Sequence, residues 1–186
     1  MGDGRGDFQR AWHEHAGRMF SRKTILDVGA AIGLSRERLA NGGQNVVTTQ
    51  DIGRSLMLSV DVICEIGKMR GAWDVVTAFD VVEHAPDAAA FLADLVRLAL
   101  EGVLLTTPNH ALYPHPWHFT AAEVEGLAVA CLPTVALRWF ARYHEGERDE
   151  IVEVPRETFH EDATIYAFGI YLAKQSASQS DPLGCQ

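Results

Sequence analysis

Between Thr24 and Ala40 the chain reads TILDVGAAIGLSRERLA, a short apolar run that ends in an aspartate, passes two glycines and enters a helical pattern. A strand that runs directly into a helix cannot fold back as a hairpin. It reaches its next strand by crossing over, which makes the pairing parallel. The same grammar recurs along the chain. VVTTQD, SVDVICEI, WDVVTAFD and GVLLTTPN are β-branched, apolar runs without strict alternation, as expected of strands buried on both faces. Between the last two lies DAAAFLADLVRLALEG, whose Phe91, Leu92, Leu95 and Leu98 or Leu100 mark the inner face of a helix.

The flanks complete the pattern. Phe8, Trp12, Met19 and Phe20 recur at roughly helical spacing and predict an N-terminal amphipathic helix. TAAEVEGLAVACL opens with Thr120 and, three residues on, Glu123, the spacing of a capping box. TVALRWFARYH and ATIYAFGIYLAK read as strands with no helix between them, hence an antiparallel pair at one edge. The polar stretch 145–162 that joins them reads as a lid or an insertion. The expected fold is α/β, a Rossmann-like doubly wound, mostly parallel seven-stranded sheet with an antiparallel edge strand.

A chain of 186 residues holds one domain, expected over residues 1–174. Residues 175–186, rich in Ser, Gln and Pro, read as a mobile tail. A net charge of -9 disfavours a broad phosphate-binding surface, so a small-molecule partner is expected ahead of nucleic acid. Cys64, Cys131 and Cys185 form no CxxC pair, which predicts free thiols. The segment MGDGRGDFQR has no apolar stretch of a signal peptide, and no run approaches a membrane span. Gly6 stands where a myristoylation pattern needs Ser or Thr. Together these features predict a cytoplasmic protein without membrane insertion.

In a doubly wound sheet the first strand-to-helix turn lines the ligand site. A dinucleotide loop needs G-x-G-x-x-G, and counting from Gly29 the other two places hold Ala31 and Leu34. That motif fails. What remains, Asp27 at the strand end followed by Gly29 and Gly33, resembles the first motif of the class I S-adenosylmethionine-dependent methyltransferases, D-x-G-x-G-x-G, with Ala31 at the middle glycine. The sulfonium cofactor carries no phosphate, so such a loop serves close backbone approach to its methionine part.

The resemblance extends from Ile25 to about Lys174. It implies that Asp51, at the end of the second strand, accepts from the ribose hydroxyls, and that Glu65 and Ile66 lie against the adenine. Ile52 and Phe79 complete the implied cofactor set with Asp27, Gly29, Ala31 and Gly33. Through FDVVEHAPD and LLTTPN the chain is similar to the branch that includes ubiquinone and menaquinone biosynthetic methyltransferases, motifs that identify the methyl donor and leave the acceptor open.

Asp80, Glu83 and His84 stand at i, i+3 and i+4, one face of a helical turn, and HALYPHPWHFT adds His110, His115 and His118 after the fifth strand. Two readings of this cluster stand. In one, a neutral histidine, His84 or His115, takes the acceptor's proton without a metal. In the other, the carboxylates and imidazoles hold a hard divalent cation. The second is sharpened by a partial resemblance to the small-RNA 3'-end 2'-O-methyltransferases, which carry E-x-x-E-H and H-x-F-E-W-T. That resemblance implies Mg2+ or Mn2+ on Asp80, Glu83, His84 and His115, with His118 as the alternative ligand. Trp117, Phe119, Trp139 and Tyr143 are candidates for an acceptor wall or for packing, and His13, His15, His144 and His160 read as surface residues.

The expected activity is methyl transfer from S-adenosylmethionine to an oxygen or nitrogen of a small molecule by in-line displacement. A metal-dependent RNA 2'-O-methyltransferase and a non-catalytic binding protein of the same fold are the alternatives.

Overall fold

The computed structural model describes residues 5–31, 33, 35–53, 60–108, 119–132, 135–145, 148–160 and 165–174. Helix α1, Arg5–Met19, precedes strand β1, Thr24–Val28, helix α2, Ser35–Ala40, and strand β2, Val46–Asp51. Strand β3, Val62–Ile63, strand β4, Trp73–Phe79, helix α3, Ala88–Leu98, and strand β5, Ala99–Pro108, follow. Helix α4, Ala121–Cys131, leads to strands β6, Val135–Glu145, β7, Arg148–Val154, and β8, Ile165–Lys174.

The sheet order is β3-β2-β1-β4-β5-β8-β6-β7. Strands β3, β2, β1, β4 and β5 pair in parallel, whereas β8, β6 and β7 pair antiparallel. The sheet therefore has eight strands, one more than the sequence predicts. The addition is β7, which pairs with β6 from Trp139↔Val154 to Glu145↔Arg148. Its RDEIVEV sequence is charged because an edge strand tolerates polar side chains, so composition alone reads as loop. Residues 148–154 are thus a strand rather than a lid, and Arg156–His160 form a 3-10 turn behind it.

Two other expectations shift. The third strand is only Val62–Ile63, because the chain turns into a 3-10 helix at Ile66. Helix α3 ends at Leu98, so Leu100 lies on β5 and is exposed, while Leu92, Leu95, Val96 and Leu98 carry the inner face. The capping box at Thr120 forms as predicted: its hydroxyl accepts from the Glu123 amide at 3.3 Å, and the Glu123 carboxylate accepts from the Thr120 amide at 2.7 Å.

Two apolar layers cover the sheet. On one face Trp12, Ala16 and Phe20 from the α1 region and Leu39 from α2 pack on Ile25, Val75, Leu104 and Phe140. On the other, α3 and α4 bury Leu92, Leu95, Val124 and Ala128 against Leu26, Val76, Val103 and Leu105. The layers fix every parallel strand with its carboxyl end at one edge. Order reverses between β1 and β4, and there the crevice outside the strand ends opens.

Candidate functional site

Asp27 and Thr77 face each other across that point of reversal. Asp27 is 1% exposed, and its Oδ1 accepts a 2.8 Å hydrogen bond from the Thr77 hydroxyl. Its Oδ2 is buried without a hydrogen-bond partner. The loop above it is held open by β2. The Gln50 carbonyl accepts from the amides of both Gly29 and Ala30, at 2.9 and 3.0 Å. Asp51 Oδ2 accepts from the Ala31 amide at 2.9 Å, and its Oδ1 from the Gly53 amide at 3.0 Å.

The backbone of this loop explains its residues. Gly29 has φ +74°, and a Cβ there would lie 2.5 Å from Val81 Cγ2. Gly33 has φ 72°. Ala31 has φ 48°, in the left-handed region, so the departure from a glycine pattern keeps a glycine conformation. Ala31 is exposed and Gly29 half-buried, leaving the loop backbone open at the rim.

The other implied cofactor residues reach the same edge of the sheet with different surroundings. Ile52 is 76% exposed just beyond β2. Glu65 is exposed and ion-paired with Lys68 at 2.9 Å, while Ile66 is buried in the α3 layer. Phe79 is buried on the α1 side, its ring 4.9 Å from that of His13. Residues 54–59 lie outside the described structure.

Asp80 has φ 53°, a second strained residue at the rim. Its amide donates to the Thr106 carbonyl at 3.2 Å, and its Oδ1 accepts from the Thr106 hydroxyl at 2.9 Å. The 3-10 turn Val82–His84 then buries Glu83 to 1% exposure with both carboxylate oxygens lacking a hydrogen bond. Burial, followed by the negative Asp80 beside it, pushes its pKa up to about 8. His84 is exposed on the same turn, its amide donating to the Val81 carbonyl at 3.0 Å.

Among the described residues no three His, Cys, Asp or Glu side chains gather as a metal site. Asp80 is engaged by Thr106, and burial favours the neutral acid of Glu83. His110, His115, Trp117 and His118 lie outside the described residues, as do residues 175–186 and the side chains of Tyr143, His144 and His160. Trp139 is core, 5.4 Å from the Phe159 ring with the Arg156 guanidinium over it at 5.1 Å, and Phe119 packs on the same layer. Cys64 and Cys131 are free thiols. No helix among the described residues is long and apolar enough to cross a membrane.

The reading of His13 and His15 as surface residues is corrected. His13 is 6% exposed, its Nε2 3.8 Å from Asp27 Oδ2, and burial lowers its pKa against the opposing pull of Asp27. His15 is half-buried, edge-on to the Phe140 ring at 5.2 Å, and burial lowers its pKa too. The burial of His13 has a signal in the sequence: Gln9, His13, Ala16 and Phe20 follow i, i+4, i+7 and i+11, one stripe of a helix. A polar residue in such a stripe is buried because its neighbours are. Thr77 and Thr106 escaped notice for a simpler reason, since a threonine inside an apolar strand has no motif to mark it.

No family model matches the chain. A ubiquinone biosynthesis O-methyltransferase from Parvibaculum lavamentivorans is 29% identical over 122 residues, which cover 57% of this chain and 48% of that protein. The chain thus spans about half the length of the curated relative it matches. Among solved structures, a methyltransferase of Aquifex aeolicus superposes with a TM-score of 0.62 at 15% identity, covering 91% of this chain and 93% of that one. The magnesium protoporphyrin IX methyltransferase of Synechocystis PCC 6803, solved with S-adenosylmethionine bound, gives 0.61 at 15% identity, covering 91% and 77%. A possible histamine N-methyltransferase from Thermotoga maritima gives 0.64 at 11% identity, covering 91% and 90%. The chain has the fold of the S-adenosylmethionine-dependent methyltransferases and resembles in sequence their ubiquinone-biosynthesis branch.

Proposed function

We propose that this protein is an S-adenosylmethionine-dependent methyltransferase acting on an oxygen or nitrogen of a small molecule. The observation that carries the reading is the β1 loop. Gly29, Ala31 and Gly33 take left-handed backbone above a buried aspartate; Gln50 holds Gly29, Asp51 holds Ala31, and the Gly33 amide donates to the Ala30 carbonyl. That is a cradle for backbone approach, and the unpartnered Asp27 Oδ2 beneath it suits a cationic ligand group. Net charge and the relative's O-methyltransferase description support a small hydroxylated acceptor over RNA.

When bound, the cofactor supplies a methyl group on a sulfonium, an electrophile that needs no further activation. The chain's own task is to align, exclude water and take one proton. Gly29 and Gly33 admit the amino-acid part, and Asp51 orders the loop and faces the ribose. The turn after β4, packed on Gly29 through Val81, presents the acceptor side. His84, exposed on that turn, takes the acceptor's proton. Buried Glu83 behind it keeps a neutral, low-polarity wall at neutral pH.

The test is transfer of labelled methyl from S-adenosylmethionine to a panel of phenols, catechols and aromatic amines, beside a short RNA, with and without EDTA. Label on a small acceptor, unchanged by chelation, is expected. Label only in RNA and lost with EDTA would establish the metal-dependent alternative instead.

A further inference from the structure

Helix α1 is fastened to the cofactor edge by two polar contacts that the packing of an amphipathic helix does not require. Gln9 Nε2 donates to the Phe79 carbonyl at 2.9 Å, at the end of β4. One turn on, His13 places Nε2 3.8 Å from Asp27 Oδ2, at the end of β1. These strands flank the point where sheet order reverses. The helix therefore straddles the crevice that the proposed function assigns to the cofactor.

Asp27 is the critical partner. Its Oδ1 is satisfied by Thr77, but Oδ2 is buried with no hydrogen bond, and a buried carboxylate so exposed to an apolar setting is costly. The His13 imidazole faces that oxygen, and 3.8 Å is too long for a direct hydrogen bond. It remains close enough for the ring's polar edge to interact with Oδ2 and bias the orientation of the carboxylate. Phe79 fixes the ring from the other side, edge-on at 4.9 Å.

We infer that His13 is a positioning residue for the amino-acid end of the cofactor, acting through Asp27. The inference rests on the methyltransferase reading. His13 keeps the Asp27 carboxylate oriented beneath the Gly29–Gly33 loop, where it attracts the α-ammonium group. Its influence is confined to that end of the ligand, because Asp51 ends β2, one strand over, and Ile52 follows it.

Calorimetric titration with two ligands separates this role from a structural one. S-adenosylhomocysteine carries the amino-acid end, and 5'-methylthioadenosine lacks it. For His13→Phe, affinity for S-adenosylhomocysteine should fall by about tenfold while that for methylthioadenosine changes by less than about twofold. His13→Gln, which restores a polar edge, should recover most of the loss. Thr77→Val removes the hydroxyl that donates to Asp27 Oδ1 and should show the same selectivity, so the inference stays testable if His13→Phe does not fold. Equal weakening of both ligands, or of neither, overturns it. Failure of the unmodified protein to bind either ligand would overturn the methyltransferase reading itself, and this inference with it.

Discussion

Ala31 holds φ at 48°, where an L-residue other than glycine pays about 1–2 kcal/mol per residue. The hydrogen bond from its amide to Asp51 keeps it there. Ala31→Gly should relieve the strain and, after the entropy that glycine adds to the unfolded chain, raise stability by up to about 1 kcal/mol. Its affinity for S-adenosylhomocysteine should hold or improve. Thermal melts with and without ligand check both outcomes, and a destabilised variant would show that Ala31 is not strained. Glu83 makes a second residue-scale prediction. In the folded protein burial pushes its pKa up to about 8, whereas in the unfolded chain it ionises near the ordinary value of 4.5. The folded state binds the extra proton between those values, so stability is greatest below about pH 4.5 for this group and falls as pH rises toward 8. The loss amounts to a few kcal/mol in order of magnitude. Glu83→Gln should flatten that slope in urea denaturation measured from pH 5 to 8. An unchanged slope would place the carboxyl in solvent.

Elements decide which residues can act together. The turn Val82–His84 joins β4 to α3, and Val81 just before it occupies the space above Gly29, so the turn and the β1 loop share one wall. His84→Ala on this turn should lower turnover by about 10²-fold or more while cofactor affinity stays within about twofold, as expected of a general base outside the cofactor pocket. Initial rates and calorimetry on the same variant separate the two, and unchanged turnover removes His84 from the proton transfer. How legible these elements were in the sequence followed from what forms them. β1, β4 and α4 could be read from apolar runs and a capping box, which are local signals. β7 could not, because RDEIVEV becomes a strand only by pairing with β6, and a charged edge strand carries no apolar signature. Asp27, Gly29 and Ala31 were readable as a loop motif. His13 was not, since its meaning depends on which strand end α1 lies across, a tertiary fact.

At the scale of the whole molecule, an eight-stranded sheet covered on both faces brings five parallel strand ends to one edge. Every implied cofactor residue among those described lies at or near that edge, although they span positions 27 to 79 in the chain. The antiparallel strands β8, β6 and β7 extend the sheet on the side of β5, away from the β1 loop. The central claim is that this edge binds S-adenosylmethionine through the β1 loop. Calorimetry of S-adenosylmethionine into the purified protein, beside a Gly29→Val variant whose Cβ would collide with Val81, tests it most directly. Saturable one-to-one binding in the micromolar range is expected for the unmodified protein, about 1 μM corresponding to -8.2 kcal/mol, and its loss in the variant. No binding by the unmodified, folded protein at millimolar cofactor would contradict it.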